Sequence, residues 1–373
     1  MRSLFGTSHI QQGCATMQQA SLSRSRQYLV AMILAGLALM SALTHPALAK
    51  DQVRVAGLTW PGYGWWYIAK AKDLAPDLDI TYQAIEDPFQ SFGLMSSGQL
   101  EIISSTAEFA PIGASQDMPV RMFAYGNLSH GTDKLIMRPE ISSPADLKGK
   151  KVAVMVGGLP QIMMGIYLEK NGLPFDSVEY VNVIMDQAAA AMIGGTVGGA
   201  ELWEPFGTQT LAAVPGSKVV ASTADPEWAA SGLIADAHFI NADWAKNNRP
   251  AALKALKAMY DAIAWWKKNP EEGNKIIADG MKMSVADVEL VIGKDGTGLD
   301  SGLYPYTFIE TAQFCGVAPG NPPFGQKNGQ LVEHYKLTNE WWVKFGVVKE
   351  NYPPEKGIDC SLLKELYDSG YRG

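Results

Sequence analysis

Short apolar runs alternate with segments whose apolar residues recur every three or four positions. The runs at 53–58, 78–84 and 100–104 read as strands; 65–71 and 89–97 read as helices, the second stopped by Gly98. The β-α-β-α-β series then recurs. Strands are expected at 151–156, 178–184 and 197–202, and helices at 162–170, closed by Asn171-Gly172, and at 187–193. A parallel sheet is the natural solution for each half, which makes the chain an α/β protein. From Pro250 the texture turns helical, with Leu253, Leu256, Tyr260 and Ile263 at helical spacing and Asn248 available as a cap. Further helices are expected at 270–281, 284–292, 329–345 and 361–367, with Gly- and Pro-rich loops at 296–305 and 317–327. This tail is expected to pack on the first half.

Before the first strand, Arg24 and Arg26 precede an apolar run at 28–40, and small residues stand at Ala47 and Ala49. The pattern is that of a Sec-type signal peptide, residues 1–49, cleaved after Ala49; the alternative is a membrane-anchoring helix. Ser25 separates the two arginines, so the twin-arginine pattern is absent, and Cys14 precedes the run, where it cannot be a lipoprotein cysteine. At 373 residues the chain exceeds one typical compact domain, and 47% hydrophobic against 18% charged residues argues against disorder. Its formal charge of -7 has the wrong sign for a nucleic-acid binder. Without the leader the balance is 28 Lys+Arg against 38 Asp+Glu, a formal -10. Cys315 and Cys360 then remain, as a disulfide or as two buried thiols; neither has a neighbour at zinc-like spacing, and no metal or cofactor is expected.

Ligands of open parallel sheets sit beyond the carboxyl ends of the strands. The unusual residues of this chain fall there: Trp60 to Trp66 after the first strand, Glu86-Asp87 after the second and Ser104 to Glu108 after the third. In the other half, 157–161, Asp186 and Trp203-Glu204-Pro205-Phe206 occupy the equivalent places. A cleft between two facing lobes is the economical arrangement. Asp186 also reads as a helix N-cap, His130 and His238 as structural histidines, and Lys148, Lys150 and Lys151 as a solvated face.

The segments Tyr67-Ile-Ala-Lys-Ala-Lys-Asp-Leu74, Ser97-Gly-Gln-Leu-Glu-Ile102, Ser143-Pro-Ala-Asp-Leu-Lys-Gly-Lys-Lys-Val-Ala-Val154 and Trp203-Glu-Pro-Phe206 resemble solute-binding proteins of ABC importers for nitrate, taurine and other sulfonates. Thiamine-pyrimidine precursor binders share that superfamily. The resemblance, over roughly residues 53–266, implies a type II periplasmic-binding fold with lobe one at 50–130, lobe two at 131–240 and a return to lobe one with C-terminal helices at 241–373. It places the crossings near 125–134 and 234–241. It further implies a monomer in the periplasm that traps a small solute by hinge closure and presents it to a membrane permease.

The family's oxyanion binders usually carry Ser or Thr where this chain has Gly157-Gly158-Leu159-Pro160-Gln161, and Pro160 removes an amide donor. Conversely, Glu108 and Glu204 fall among tryptophans, and carboxylates beside indoles suit ammonium, amidinium or guanidinium groups. The expected ligand residues are Trp60, Trp65, Glu108, Trp203 and Glu204, with Gln161 facing the cleft and the Gly157 and Gly158 amides holding any anionic end. The alternatives are a sulfonate or nitrate binder, a pyrimidine-synthase-like enzyme and an exported sensory module. The enzyme lacks its cysteine-rich segment here, and Gly-x-Ser-x-Gly, His-Glu-x-x-His and the phosphate-cradling Gly-Lys-Ser/Thr loop are absent, so no catalysis is expected.

Overall fold

The computed structural model describes residues 50–373; the expected leader, and with it Cys14, lies outside the described residues. β1 (Asp51–Gly57) lies between β2 (Leu78–Ala84) and β3 (Ile102–Thr106), parallel to both. The helices Trp65–Ala71 and Pro88–Ser96 make the crossovers, the second capped by Asp87, whose side chain accepts the Phe89 amide at 2.9 Å. β4 (Val120–Ser129) belongs to the first sheet and leads out of it to β5 (Lys134–Met137), which opens the second.

There the pattern recurs: β6 (Lys151–Val154) sits between β7 (Glu179–Asn182) and β8 (Gly199–Leu202), again parallel to both. β9 (Lys218–Ser222) closes that sheet, and β10 (Ala235–Asn241) returns the chain to the first, antiparallel to β3 and β4. β11 (Leu303–Pro305) adds the far edge, giving the orders β11-β4-β10-β3-β1-β2 and β7-β6-β8-β5-β9. The result is the expected two-lobed α/β architecture. Each lobe is a parallel three-strand unit extended by an antiparallel strand that the crossing supplies. The chain re-enters the first sheet at Ala235.

Several local expectations shift. The helix expected at 162–170 starts at Leu159, because Pro160 in the first turn needs no amide partner and presets φ. Asp186 lies within the first turn of the Met185–Ile193 helix rather than at its cap, which is Ile184. Asn248 holds the N-cap position of Arg249–Trp266 but its amide donates back to the Trp244 carbonyl at 3.0 Å, so it does not cap.

Aromatic side chains fill both cores. Trp65, Trp66 and Trp266 are fully buried, and the indole N–H groups find acceptors: Trp65 Nε1 donates to Asn127 Oδ1 at 3.2 Å and Trp66 Nε1 to Ser104 Oγ at 2.9 Å. Cys315 and Cys360 are disulfide-bonded, with Cα atoms 6.0 Å apart, tying the end of the Phe308–Phe314 helix to the start of Ser361–Asp368. The tail packs on the first lobe as expected, yet it also reaches the second. From the Leu331–Lys344 helix and the residue after it, Trp341 and Phe345 meet Phe175 edge-on at 6.2 and 5.2 Å, and Lys344 pairs with Glu169 at 2.9 Å. Gly165 is required at this contact, since a Cβ there would lie 2.6 Å from the Trp341 ring.

Candidate functional site

Between the facing strand ends lies a cavity of about 370 Å³, walled by the β1, β2 and β3 loops on one side and the β6, β7 and β8 loops on the other. Trp60 from the first lobe and Trp203 from the second meet edge-on across it, ring centroids 6.3 Å apart. Five carboxylates line the cavity, those of Glu86, Asp133, Asp186, Glu204 and Asp236, and no lysine, arginine or histidine does among the described residues.

Asp236 is the best prepared of the five. It lies on β10, 6% exposed, where the returning strand brings it under the Trp60–Tyr63 loop. Its Oδ2 accepts Trp60 Nε1 at 2.8 Å and Asn127 Nδ2 at 2.9 Å, and its Oδ1 accepts the Tyr63 hydroxyl at 3.1 Å. All three donors are neutral, and no cation faces the carboxylate among the described residues. Burial therefore pushes its pKa up to about 7 against the lowering pull of those hydrogen bonds. Gly62 lets the loop come this close: a Cβ there would stand 2.6 Å from Trp60 Nε1, 2.7 Å from Asp236 Oδ2 and 2.8 Å from Asn127 Nδ2.

Glu204 also faces the cavity but is already neutralised. Its Oε1 accepts Lys134 Nζ at 2.6 Å and Thr208 Oγ1 at 2.9 Å, and its Oε2 accepts the Thr208 amide at 3.0 Å. It fixes the start of the Phe206–Ala213 helix and joins it to β5. Asp133, in the first crossing, accepts the hydroxyls of Ser129 and, at 2.8 Å, Thr132.

Of the expected ligand residues, Trp60, Trp203 and Glu204 line the cavity, and Trp65, Glu108, Gly158 and Gln161 do not. Trp65 belongs to the core behind the loop, because the helix it begins turns its ring onto Trp266, centroids 5.5 Å apart. Gln161 folds back on its own turn, its Oε1 accepting the Gly157 amide at 2.9 Å, while the Gly158 amide donates to the Met155 carbonyl at 3.2 Å. Neither glycine amide is thus free to hold an anion. Glu108 sits fully buried one layer behind the wall. Its Oε1 accepts Thr106 Oγ1 at 2.7 Å and, across the lobes, the Leu159 amide at 3.0 Å; burial raises its pKa to about 7.

Tyr63 belongs to the loop the sequence marks after the first strand, whereas Asp236 and Asp133 are not singled out there. A signal for Asp236 existed, a lone acid in the run Ile234-Ala-Asp-Ala-His-Phe-Ile240, apolar apart from His238, since an acid inside a buried strand demands partners. His238, two residues on, is held by Ser104 Oγ at 2.9 Å, and burial lowers its pKa to about 3, which keeps it neutral.

The family model described as NMT1/THI5 like matches residues 63–273. The taurine-binding periplasmic protein of Escherichia coli (strain K12) is 27% identical over 190 residues, 49% of this chain and 58% of that protein. The chain spans about half the length of the curated relatives it matches. Among solved structures, the alkanesulfonate-binding protein SsuA from Xanthomonas axonopodis pv. citri, bound to MOPS, superposes with a TM-score of 0.64 at 14% identity, over 84% of this chain and 99% of that one. The periplasmic nitrate-binding protein NrtA from Synechocystis PCC 6803 gives 0.63 at 14% identity, over 86% and 89%. At such identities the likeness is one of fold. The family match covers more than half of the sequence, and the chain belongs to the NMT1/THI5-like family.

Proposed function

We propose that this protein is the periplasmic solute-binding component of an ABC importer, and that its solute carries a cationic nitrogen group: an amine, amidine or guanidino compound. The family and the names of its relatives support the first half. The second half rests on one observation: Asp236 is a buried carboxylate at the cavity wall, with three neutral donors and no counter-charge among the described residues. A buried charge without a partner is costly, and a cation entering the cavity supplies the partner. Trp60 and Trp203 offer indole surface for the same group, and the other acids keep the surroundings negative. In this reading the lobes, divided near residues 130 and 235, close about the crossings and present the filled form to a membrane permease. The chain acts as a monomer and leaves its solute unaltered.

Calorimetry and thermal shift with guanidinium, methylammonium, agmatine, taurine and ethanesulfonate test the reading. Cations are expected to bind and to raise the melting temperature by mass action. Binding of ethanesulfonate in preference to every cation would overturn it.

A further inference from the structure

The start of the Leu159–Lys170 helix faces the cavity, since Leu159 and Pro160 belong to its wall. The amino end of a twelve-residue helix attracts anions through its free amides and its dipole. Here every amide of that turn is accounted for. Gly157 N–H goes to Gln161 Oε1, Gly158 N–H to the Met155 carbonyl and Gln161 N–H to the Gly158 carbonyl, and Pro160 has none. The one amide not used inside the turn, that of Leu159, is taken by Glu108, a residue of the other lobe.

Glu108 is held for this task. Thr106 Oγ1 donates to the same oxygen, and Trp342 Nε1 from the tail donates to the Glu108 main-chain carbonyl at 2.7 Å. Its second oxygen, Oε2, is buried and has no hydrogen-bond partner among the described residues. A carboxylate left half satisfied in a dry place demands a strong reason to stay, and the helix end is the only positive potential beside it in these contacts.

We infer that Glu108 is a specificity-determining residue: an internal carboxylate that occupies the cavity-facing end of the Leu159–Lys170 helix and so bars anionic solutes from it. The same bond links the two lobes, so the exclusion operates in the closed form. The inference complements the cation reading proposed above, but it concerns a separate group and is tested separately.

The test compares the wild-type protein with E108A and E108Q at pH 8, where Glu108 has given up its proton, titrated calorimetrically with ethanesulfonate and, in parallel, with guanidinium. Alanine removes the charge and frees the Leu159 amide; glutamine removes only the charge and keeps an acceptor. Ethanesulfonate affinity is expected to rise in the order wild type, E108Q, E108A, by about tenfold from first to last, the worth of a helix-end charge and a charge-assisted hydrogen bond. If E108A does not fold, the wild-type to E108Q step carries the test. Equal ethanesulfonate affinity in the wild type and whichever variants fold would overturn the inference, whatever guanidinium does. Failure of guanidinium to bind the wild type, with the ethanesulfonate gain intact, would instead remove the cation reading and leave Glu108 in its role.

Discussion

Replacing Asp236 by Asn separates binding from stability in opposite directions. The substitution is nearly isosteric and can be satisfied in place: the carboxamide oxygen accepts Trp60 Nε1 and Asn127 Nδ2, while its NH2 donates to the Tyr63 hydroxyl, which turns to accept. What disappears is the charge. A monovalent cation about 4 Å away at an effective dielectric of about 20 gains about 4 kcal/mol from it, and desolvation of the cation leaves about 2–3 kcal/mol. A cationic solute is therefore expected to bind about 30- to 150-fold more weakly to D236N. The unliganded fold responds the other way. With a folded pKa of about 7 against 3.8 for the free side chain, ionised Asp236 costs the empty protein on the order of 4 kcal/mol at pH 8. D236N is expected to melt at or above the wild-type temperature at pH 8 without ligand, and to show little ligand-induced shift. Calorimetry gives the first quantity and scanning calorimetry with and without guanidinium the second. A variant that melts lower when empty yet keeps its ligand response would refute the reasoning, because Asp236 would then be a structural acid.

Other outcomes follow from the same geometry. Asp236 and Glu108 both hold a proton in the folded state up to about pH 7 that the unfolded chain gives up near pH 4, so unliganded stability is expected to fall as pH rises between these values and to level above; cation affinity should rise over the same window, and melting curves from pH 4 to 9 with and without guanidinium check both signs. Gly62→Ala forces a Cβ into Trp60, Asp236 and Asn127 and is expected to lower stability by about 1–3 kcal/mol and weaken cation binding, measured by denaturation and calorimetry. Opening the disulfide with Cys315→Ser and Cys360→Ser releases a 45-residue separation, for which chain entropy predicts a loss of about 4 kcal/mol in urea unfolding.

The parallel core of each lobe was legible because its strands are short apolar runs separated by helices with clear stops, such as Gly98 and Asn171-Gly172. The crossings expected near 125–134 and 234–241 take in the second half of β4 and all of β10, and β5 gives no strand signal of its own. All three are almost wholly buried on both faces, so they lack the alternation that marks a strand, and their partners lie far away in sequence. The same remoteness concealed the site. Trp60 and Asp236 are 176 residues apart, and only the return of β10 beside β3 and β4 brings them together. Trp65 was misplaced because aromatic residues next to a cleft loop and aromatic residues of the core beneath it are the same letters; the helical turn after Gly64 decides which is which. Glu204 lines the cavity, yet its counter-charge, Lys134, comes from a strand 70 residues earlier and is not apparent from its neighbours.

The tail helix touches both halves of the molecule, and this changes the mechanics of opening. Two crossing segments alone would let the halves swing about a line drawn through residues 130 and 234. A third attachment, with Trp341 seated on Gly165 and Lys344 on Glu169, joins the halves independently of those segments. Any separation of the halves would have to carry this attachment along or break it, and a break would strip the Trp341 indole of its contacts with Gly165 and Phe175. Trp341, like Trp60 and Trp203, thus stands where the halves meet, and the intrinsic tryptophan emission of the protein would record their separation without any attached dye.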